Sequence, residues 1–489
     1  MRISRQRIRK MKETERKNSG SFRDPSGYVF TRNGTLYRQI NNTYTEQYNH
    51  LNQSGLYRAL LDKGWLISHE ETDEACPFEN GIQVIRPERI PFISYPYEWS
   101  FSALKDAALL TLRIHRLAMD HGMVLKDASA FNVQFSRGKP VFIDTLSFDL
   151  YREGSPWIAY SQFCRHFLAP LLLMFYVDVR MSRMMSCFID GIPLDLADQI
   201  LRGRGGFFAR QHIRWHAASI ARYSDTSKRI DEAQPQKTIN LSRNSHLALI
   251  ESMILWIEKL SFPGQKTEWG DYNAQTSYTE NGADSKRSIV SDYLNLIHPG
   301  SLWDLGSNDG TYSMLAVRAG ARTVAFDADP VAVEQCYRQT RGKDLPILPL
   351  LMDLTNPSAG IGFSGNERMS MSERERPDCI MMLAVIHHMA ISNNVPLELL
   401  AEWLSGMSDH LIIEFVPKSD IQVQRLLSSR EDIFDRYTQE EFEASFARYW
   451  KLIAQKAVQG SERTIYLYCK AKNSHPPAFR DRWANPDFA

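Results

Sequence analysis

Cysteine is scarce and scattered in this sequence: Cys76, Cys164, Cys187, Cys336, Cys379 and Cys469 form no C-x-x-C pair. Such spacing argues against a zinc site and against a disulfide framework, and suits a reducing cytoplasm. An excess of one charge is missing too. Lys and Arg number 58 against 57 Asp and Glu, a net charge of +1, so no general field draws the chain to nucleic acid. A dedicated DNA or RNA binder is disfavoured, and only the basic N-terminal arm points to one. No apolar run is long enough to span a bilayer. The most apolar, "FLAPLLLMFYV" from Phe167 to Val177, has about half the required length and contains Pro170, which reads as a buried helix. The basic start "MRISRQRIRKMKETERK" lacks the apolar centre of a signal peptide, and its acidic residues spoil a transit-peptide reading. Residues 1–23 therefore read as a solvated arm. No repeat of about 20–50 residues is visible.

What remains is an ordinary globular composition, 43% hydrophobic and 24% charged, over 489 residues. That length exceeds what one core usually supports, so two large domains are expected. Residues 24–40, "DPSGYVFTRNGTLYRQI", alternate around the turn "RNG" as a β-hairpin does, and "YNHLNQSGLYRALLDKGWL" reads as a helix. "SFSALKDAALLTLRIHRLAMDHG" has helical spacing with Gly122 suited to a C-cap, and "MVLKDASAFNVQFSRGKPVFIDTLSFD" holds two strand-like runs around "RGKP". From Trp157 to about Tyr223 the chain reads as mostly helical. Together these make an α+β domain over 24–223, followed by a polar, aperiodic linker over 224–244.

The second domain, 245–470, opens on the amphipathic helix "SHLALIESMILWIEKL" and then alternates strand and helix signals. That order predicts an α/β, doubly wound Rossmann-like sheet covered on both faces. Its closing stretch "WKLIAQKAVQGSERTIYLYCK" predicts an antiparallel edge hairpin, and 471–489 forms a tail. The stretch "LWDLGSNDGTYS" has the strand, glycine turn and helix of a nucleotide loop, with glycines at 306 and 310 and Asn308 in place of a middle glycine. Asp304 and Asp309 would repel a pyrophosphate. They suit a cationic ligand bearing an amine.

From about Trp269 to Lys470 the chain resembles the class I S-adenosylmethionine (SAM) dependent methyltransferases, and "DLGSNDG" is similar to their first motif. The resemblance implies a turn made by Gly306, Ser307, Asn308 and Gly310, with Asp304 facing the amino group of the methionine moiety. It implies that Asp327 in "AFDADP", 23 positions after Asp304, accepts the ribose hydroxyls; the alternative is an N-cap for the helix near Pro330. Asp353 in "LLMDLTNP" would contact the adenine amino group or else hold a local turn. "DCIMMLAVIHHM" is similar to the fourth-strand motif, which puts His387 and His388 near the transferred methyl unless they only pack and cap. Glu414 in "IIEFVP" ends the next strand and is a candidate of the same kind. Tyr272 and Tyr278 in "TEWGDYNAQTSY", with Lys286, fall where such enzymes place residues over the cofactor. A base is needed only if the acceptor must lose a proton, and histidine can serve at neutral pH. No residue set is assigned to a metal.

In the first domain "LKDASAFNVQFSRGKPVFIDTLSFD" resembles the catalytic loop of protein-kinase-like and aminoglycoside-phosphotransferase-like enzymes, over about residues 25–225. Asp127 and Asn132 stand as in D-x-x-x-x-N, and Asp144 in "FIDTLSF" follows where a metal-binding Asp would. The surroundings depart from the pattern: "LKD" replaces H-R-D, "DTL" replaces D-F-G, no glycine-rich phosphate loop is present, and Arg38 could take the place of the strand lysine. The resemblance implies a kinase-like domain, with ATP and magnesium binding as a further implication; the alternative is that these residues hold turns and strand ends. The two-part arrangement is similar to nodulation-type methyltransferases, which suggests a small-molecule or glycan acceptor. Three functions stay open: a SAM-dependent methyltransferase with a kinase-like accessory domain, a bifunctional enzyme that also transfers phosphate, and a noncatalytic SAM-binding interaction protein.

Overall fold

The structure, a computed structural model, describes residues 15–204, 206, 211–214, 240–264 and 280–471. Residues 1–14 of the arm, 224–239 of the linker, the stretch holding Tyr272 and Tyr278, and 472–489 of the tail lie outside the described residues. Two compact units divide the chain. One holds Met1–Pro263 with Ala359–Ser370, the other Gly264–Ser358 with Met371–Ala489.

The first unit begins with an antiparallel sheet in the order β1-β2-β3-β5-β4. Its strands are β1 (Glu15–Lys17), β2 (Gly27–Arg32), β3 (Thr35–Asn41), β4 (His69–Thr72) and β5 (Gly81–Pro87). The β2–β3 hairpin turns on Asn33 and Gly34, at φ of 52° and 79°, which suits a type I′ turn. β1 corrects the expectation of a wholly solvated arm: it fills the edge of β2, and the Lys17 ammonium sits 3.5 Å over the Tyr28 ring. The helix expected after β3 is two helices, α1 (Thr45–Gln53) and α2 (Leu56–Asp62), because Gly55 at φ 79° takes a left-handed conformation that an α-helix cannot include.

Beyond the sheet, α3 (Phe101–Asp120) is capped by Ser100, whose Oγ accepts from the Ala103 N–H, and ends before Gly122 at φ 72°. Then follow β6 (Met123–Leu125), the hairpin β7 (Val133–Ser136) and β8 (Lys139–Phe142), and β9 (Phe148–Leu150) paired with β6. The apolar run forms α4 (Ala169–Tyr176), with Leu171, Leu172 and Leu173 fully buried. Two segments of this unit were expected in the second domain. The helix α5 (Arg243–Lys259) packs on α3, where Lys105 Nζ donates to the carbonyls of Glu258 and Leu260 at 2.8 and 2.6 Å. His115 and His246 meet there, buried, with their Nε2 atoms 3.1 Å apart. The other is 359–370. Its Glu367 takes both Arg23 Nε and Nη2 at 2.9 Å, the Met369 N–H donates to Tyr95 Oη at 2.7 Å, and the Arg368 guanidinium lies 4.3 Å over Phe131.

The second unit is built on α6 (Glu280–Ile297), β10 (Ser301–Leu305), α7 (Thr311–Arg318), β11 (Arg322–Asp327), α8 (Pro330–Thr340), β12 (Ile347–Leu351) and β13 (Cys379–Met382). It continues with α9 (Leu397–Met407), β14 (His410–Phe415), α10 (Ile421–Leu427), α11 (Gln439–Ala447), β15 (Trp450–Ala457) and β16 (Thr464–Lys470). The sheet order is β12-β11-β10-β13-β14-β16-β15. β10 to β14 run parallel, while β16 and β15 close one edge as the expected antiparallel hairpin. The central strands read as near-continuous apolar runs because helices cover both faces, and all five residues of β10 are buried. Val290 and Leu294 of α6 join Leu302, Met381, Ile412 and Leu467 in one core. Each such side chain contributes about 1.5–3 kcal/mol by leaving water. Among the described residues no helix is long and apolar enough to cross a membrane.

Candidate functional site

From β10 the chain steps outward to β11 and β12, then returns to β13 on the other side of β10. That reversal leaves a crevice at the carboxyl ends of the strands. A cavity of about 380 Å³ occupies it, lined by Gly306 and Asn308 after β10, Asp327 at the end of β11, Asp353 after β12, and His388 beyond β13. Five expected site residues thus meet on one surface although up to 82 positions separate them, counting from Gly306 to His388.

The turn is a web of short hydrogen bonds. The N–H groups of Gly306 and Ser307 both donate to the Phe326 carbonyl, at 2.8 and 2.9 Å, and the Asn308 N–H donates to Asp327 Oδ2 at 2.8 Å. Asn308 sits at φ 48°, in the left-handed region that asparagine tolerates better than most residues. Hence it can replace the middle glycine of a dinucleotide loop. Gly306 is at φ 85°, and a Cβ there would lie 2.2 Å from Val385 Cγ2. Gly306→Ala therefore combines backbone strain with a collision, and is expected to destabilise the chain by about 2–5 kcal/mol. Gly342→Ala is the control, at φ 68° with open space around it, where only about 1–2 kcal/mol of backbone cost applies. Urea midpoints of the two variants check this; equal losses would contradict the close approach.

Three carboxylates mark successive strand ends. Asp304 is buried, and its Oδ2 accepts from Ser313 Oγ at 2.6 Å. Burial pushes its carboxyl up to about 7, against the lowering effect of the Ser313 bond. Asp327 is likewise pushed up by burial, to about 6, and its Oδ1 accepts from the Asp329 N–H at 2.8 Å. The helix-capping alternative for Asp327 belongs instead to Asp329, which accepts from the Val331 N–H at 2.7 Å. Asp353 lines the cavity and also holds a local turn, its Oδ1 accepting from the Thr355 N–H and Oγ1 at 3.0 and 2.7 Å.

Several expected residues lie elsewhere. Glu414 is fully buried under the sheet end, where Lys286 Nζ donates to its Oε2 at 2.7 Å and Arg463 Nη1 stands 3.7 Å from Oε1. Arg463 in turn is held by Asp420 through two bonds of 2.7 and 3.0 Å. Glu414 and Lys286 thus form a buried charge chain and do not line the cavity, nor do Asp304, Ser307 and Gly310. Gly310, at φ 84°, starts α7 against Cys336. His387 is also buried and off the lining. Its Nδ1 has no hydrogen-bond partner among the described residues, and burial keeps it well below the ordinary histidine range. His388, its ring tilted against that of His387 with centroids 4.1 Å apart, does face the cavity, and burial lowers it to about 4. It is a neutral imidazole at pH 7. Apolar lining from Met352, Leu383 and Val385 had no signal in the sequence beyond falling near strand ends, and Met389, Leu426, Ser392 and Asn393, which lie on or beside helical turns, had none.

In the first unit Asp127 Oδ1 accepts from the Ser129 N–H and Gln162 Nε2 at 2.9 and 2.8 Å, and Asn132 Nδ2 donates to Ser147 Oγ at 3.2 Å. Asp144 is bonded by the Arg38 guanidinium, by the Leu146 N–H at 3.0 Å and by Ser147 Oγ at 2.7 Å. Among the described residues no group of three or more His, Cys, Asp or Glu is arranged to hold a metal.

No protein-family model matches the chain. It is similar to the nodulation protein NoeA of Rhizobium meliloti (strain 1021), with 32% identity over 455 residues that cover 92% of this chain and 95% of that protein. Among solved structures it is similar to the bifunctional kinase-methyltransferase WbdD, at 16% identity and a TM-score of 0.29 over 42% of this chain and 43% of that one, less than half its length. It is also similar to the N-methyltransferase NodS from Bradyrhizobium japonicum WM9, at 11% identity and a TM-score of 0.31 over 40% of this chain and 98% of that one. A third is the magnesium protoporphyrin IX methyltransferase ChlM from Synechocystis PCC 6803 with bound SAH, at 15% identity and a TM-score of 0.29 over 42% and 90% of the two chains. Identity at that level along almost the whole of both sequences makes this chain a member of the NoeA family.

Proposed function

We propose that the second unit is a SAM-dependent methyltransferase and that the first has a kinase-like fold. The charge around the crevice carries the first part: Asp327 and Asp353 line it, Asp304 is buried just behind the turn, and the lining contains no Lys or Arg among the described residues. Carboxylates without a cation repel the phosphates of a dinucleotide and attract a sulfonium and an amine. The donor set suits an adenosine ligand as well. Asp327 lines the cavity with both oxygens anchored by backbone N–H groups, of Asn308 on Oδ2 and Asp329 on Oδ1, which fixes the carboxylate as an acceptor for a ribose hydroxyl. Gly306 permits the tight turn against the exit of β13, since a side chain there would collide with Val385.

SAM, when bound, supplies a methyl group already activated on a sulfonium, so much of the remaining work is orientation. The turn after β10, with the Asp304 charge behind it, would hold the methionine end, Asp327 the ribose and Asp353 the adenine, while Met352, Leu383 and Met389 would exclude water. A ring nitrogen of neutral His388 would take the proton of a hydroxyl acceptor at the cavity. The acceptor we favour is a small molecule or glycan, supported by membership of a nodulation-protein family. A cytoplasmic location suits the six free cysteines. The kinase-like reading is supported by helices α1 and α2 inserted between β3 and β4 of a five-stranded antiparallel sheet, and by Asp127, Asn132 and Asp144 following α3 in one neighbourhood.

His388→Ala is expected to lower methyl transfer to a hydroxyl acceptor by about a hundredfold while leaving SAM affinity unchanged. His387→Ala should act on stability instead. Turnover and calorimetric SAM binding, measured side by side, check both; parallel loss of affinity and turnover in His388→Ala would contradict the base role.

A further inference from the structure

We propose that Arg38 serves as a built-in cation at Asp144, in the place a divalent ion takes in phosphotransfer sites, so that the cleft of the first unit is metal-independent. The inference rests on the kinase-like reading of that unit and goes beyond it. In a phosphotransfer site of that kind, the aspartate after the catalytic loop and the loop asparagine hold magnesium, and a strand lysine reaches for the phosphates. Here the strand residue is an arginine, and it reaches the aspartate itself.

Asp144 has no oxygen left idle. Oδ1 takes Arg38 Nη1 and the Leu146 N–H, and Oδ2 takes Ser147 Oγ. Burial alone would push this carboxyl up, yet the guanidinium and the Ser147 and Leu146 bonds outweigh it and hold it below the usual carboxylate range. Asn132 is turned to the same serine, its Nδ2 donating to Ser147 Oγ. Asp127 is committed to Ser129 and Gln162. Around them Arg38 Nη2 lies 3.9 Å and Lys126 Nζ 3.8 Å from Asp24, so two carboxylates, Asp144 and Asp24, already face two cations. A magnesium or manganese ion needs about six oxygen ligands in regular geometry. To take Oδ1 of Asp144 it would have to displace a guanidinium that never loses its charge, and at Oδ2 it would sit beside that same charge. Arg38 is also rigidly placed: β3 is an inner strand, with Arg38 paired between Val29 and Ile85.

The test is a Mn²⁺ titration of the full chain followed by electron paramagnetic resonance. Wild type and Asp144→Asn should be indistinguishable at millimolar Mn²⁺. Arg38→Ala should gain a site at least tenfold tighter than any in wild type, and the gain should vanish in Arg38→Ala/Asp144→Asn. Arg38→Gln, which keeps a donor and loses the charge, should gain the same site and covers the case in which Arg38→Ala does not fold. ATP added to the Mn²⁺-loaded Arg38 variant separates the two ideas: a gain of Mn²⁺ without ATP binding upholds the internal cation while removing a nucleotide cleft. A wild-type Mn²⁺ site that Asp144→Asn abolishes would overturn the proposal, as would folded Arg38 variants that gain no site.

Discussion

Glu414→Ala is expected to destabilise the second unit by about 3–5 kcal/mol, because it strips the shared partner from two buried cations. Lys286 Nζ is 2.7 Å and Arg463 Nη1 3.7 Å from this carboxylate, all three groups being buried. Arg463 retains Asp420, while Lys286 loses its carboxylate and keeps the ring of Tyr312, 4.9 Å away, and the more distant charge of Asp304. A buried ammonium left in that state costs far more than the original pair contributed. Glu414→Leu combined with Lys286→Met removes both members of the pair and should recover much of the loss. Denaturant midpoints of the single and double variants check the argument. A Glu414→Ala protein of native stability that had lost only turnover would make Glu414 a catalytic group instead.

Asp304→Ala is expected to weaken SAM binding by about tenfold or more, the loss of a buried negative charge just behind the turn that would face the ligand's amine. Its signature is in the pH dependence. A cationic ligand is attracted by both carboxylates in their charged form, and burial has raised Asp304 to about 7 and Asp327 to about 6. Affinity should therefore be full above about pH 8 and fall as the pH drops, by at least tenfold at pH 5.5, as both groups take up protons. Stability of the free protein runs the other way. Both carboxyls lie above their unfolded value of about 3.9, so the folded form binds more protons between about pH 4 and 7, and these two groups make it less stable as pH rises through that window. Asp304→Asn should flatten the upper part of both curves. Affinity that rises toward acid pH would contradict the assignment.

The turn at residues 304–310 was legible in the sequence because glycine, asparagine and aspartate are each demanded there by backbone conformation or hydrogen bonding, a local property. Asn308 shows how: its φ of 48° explains the substitution that spoils the dinucleotide pattern. The same holds for Asp327 and Asp353, which end or follow strands whose apolar runs are plain. The helix Arg243–Lys259 was visible as a helix, but its periodicity says only that one face is buried. That α3 covers that face is a fact of tertiary packing. Residues 359–370 are polar and aperiodic, so nothing local assigns them to the first unit, where Arg23 grips Glu367. The two histidines mark the finest limit. They are neighbours in sequence, yet at the irregular helical turn after β13 one position separates the core, where His387 sits, from the cavity, where His388 does. Glu414 was misread as a cavity group for a similar reason, since its buried partners Lys286 and Arg463 lie 128 and 49 positions away.

Isothermal calorimetry of SAM into the full-length protein at pH 8 tests the central claim most directly. The account predicts one SAM per chain with micromolar affinity, strongly weakened in Asp327→Ala, and no comparable heat from a dinucleotide. No SAM binding at millimolar concentration to folded protein, or dinucleotide binding that Asp327→Ala abolishes, would contradict it.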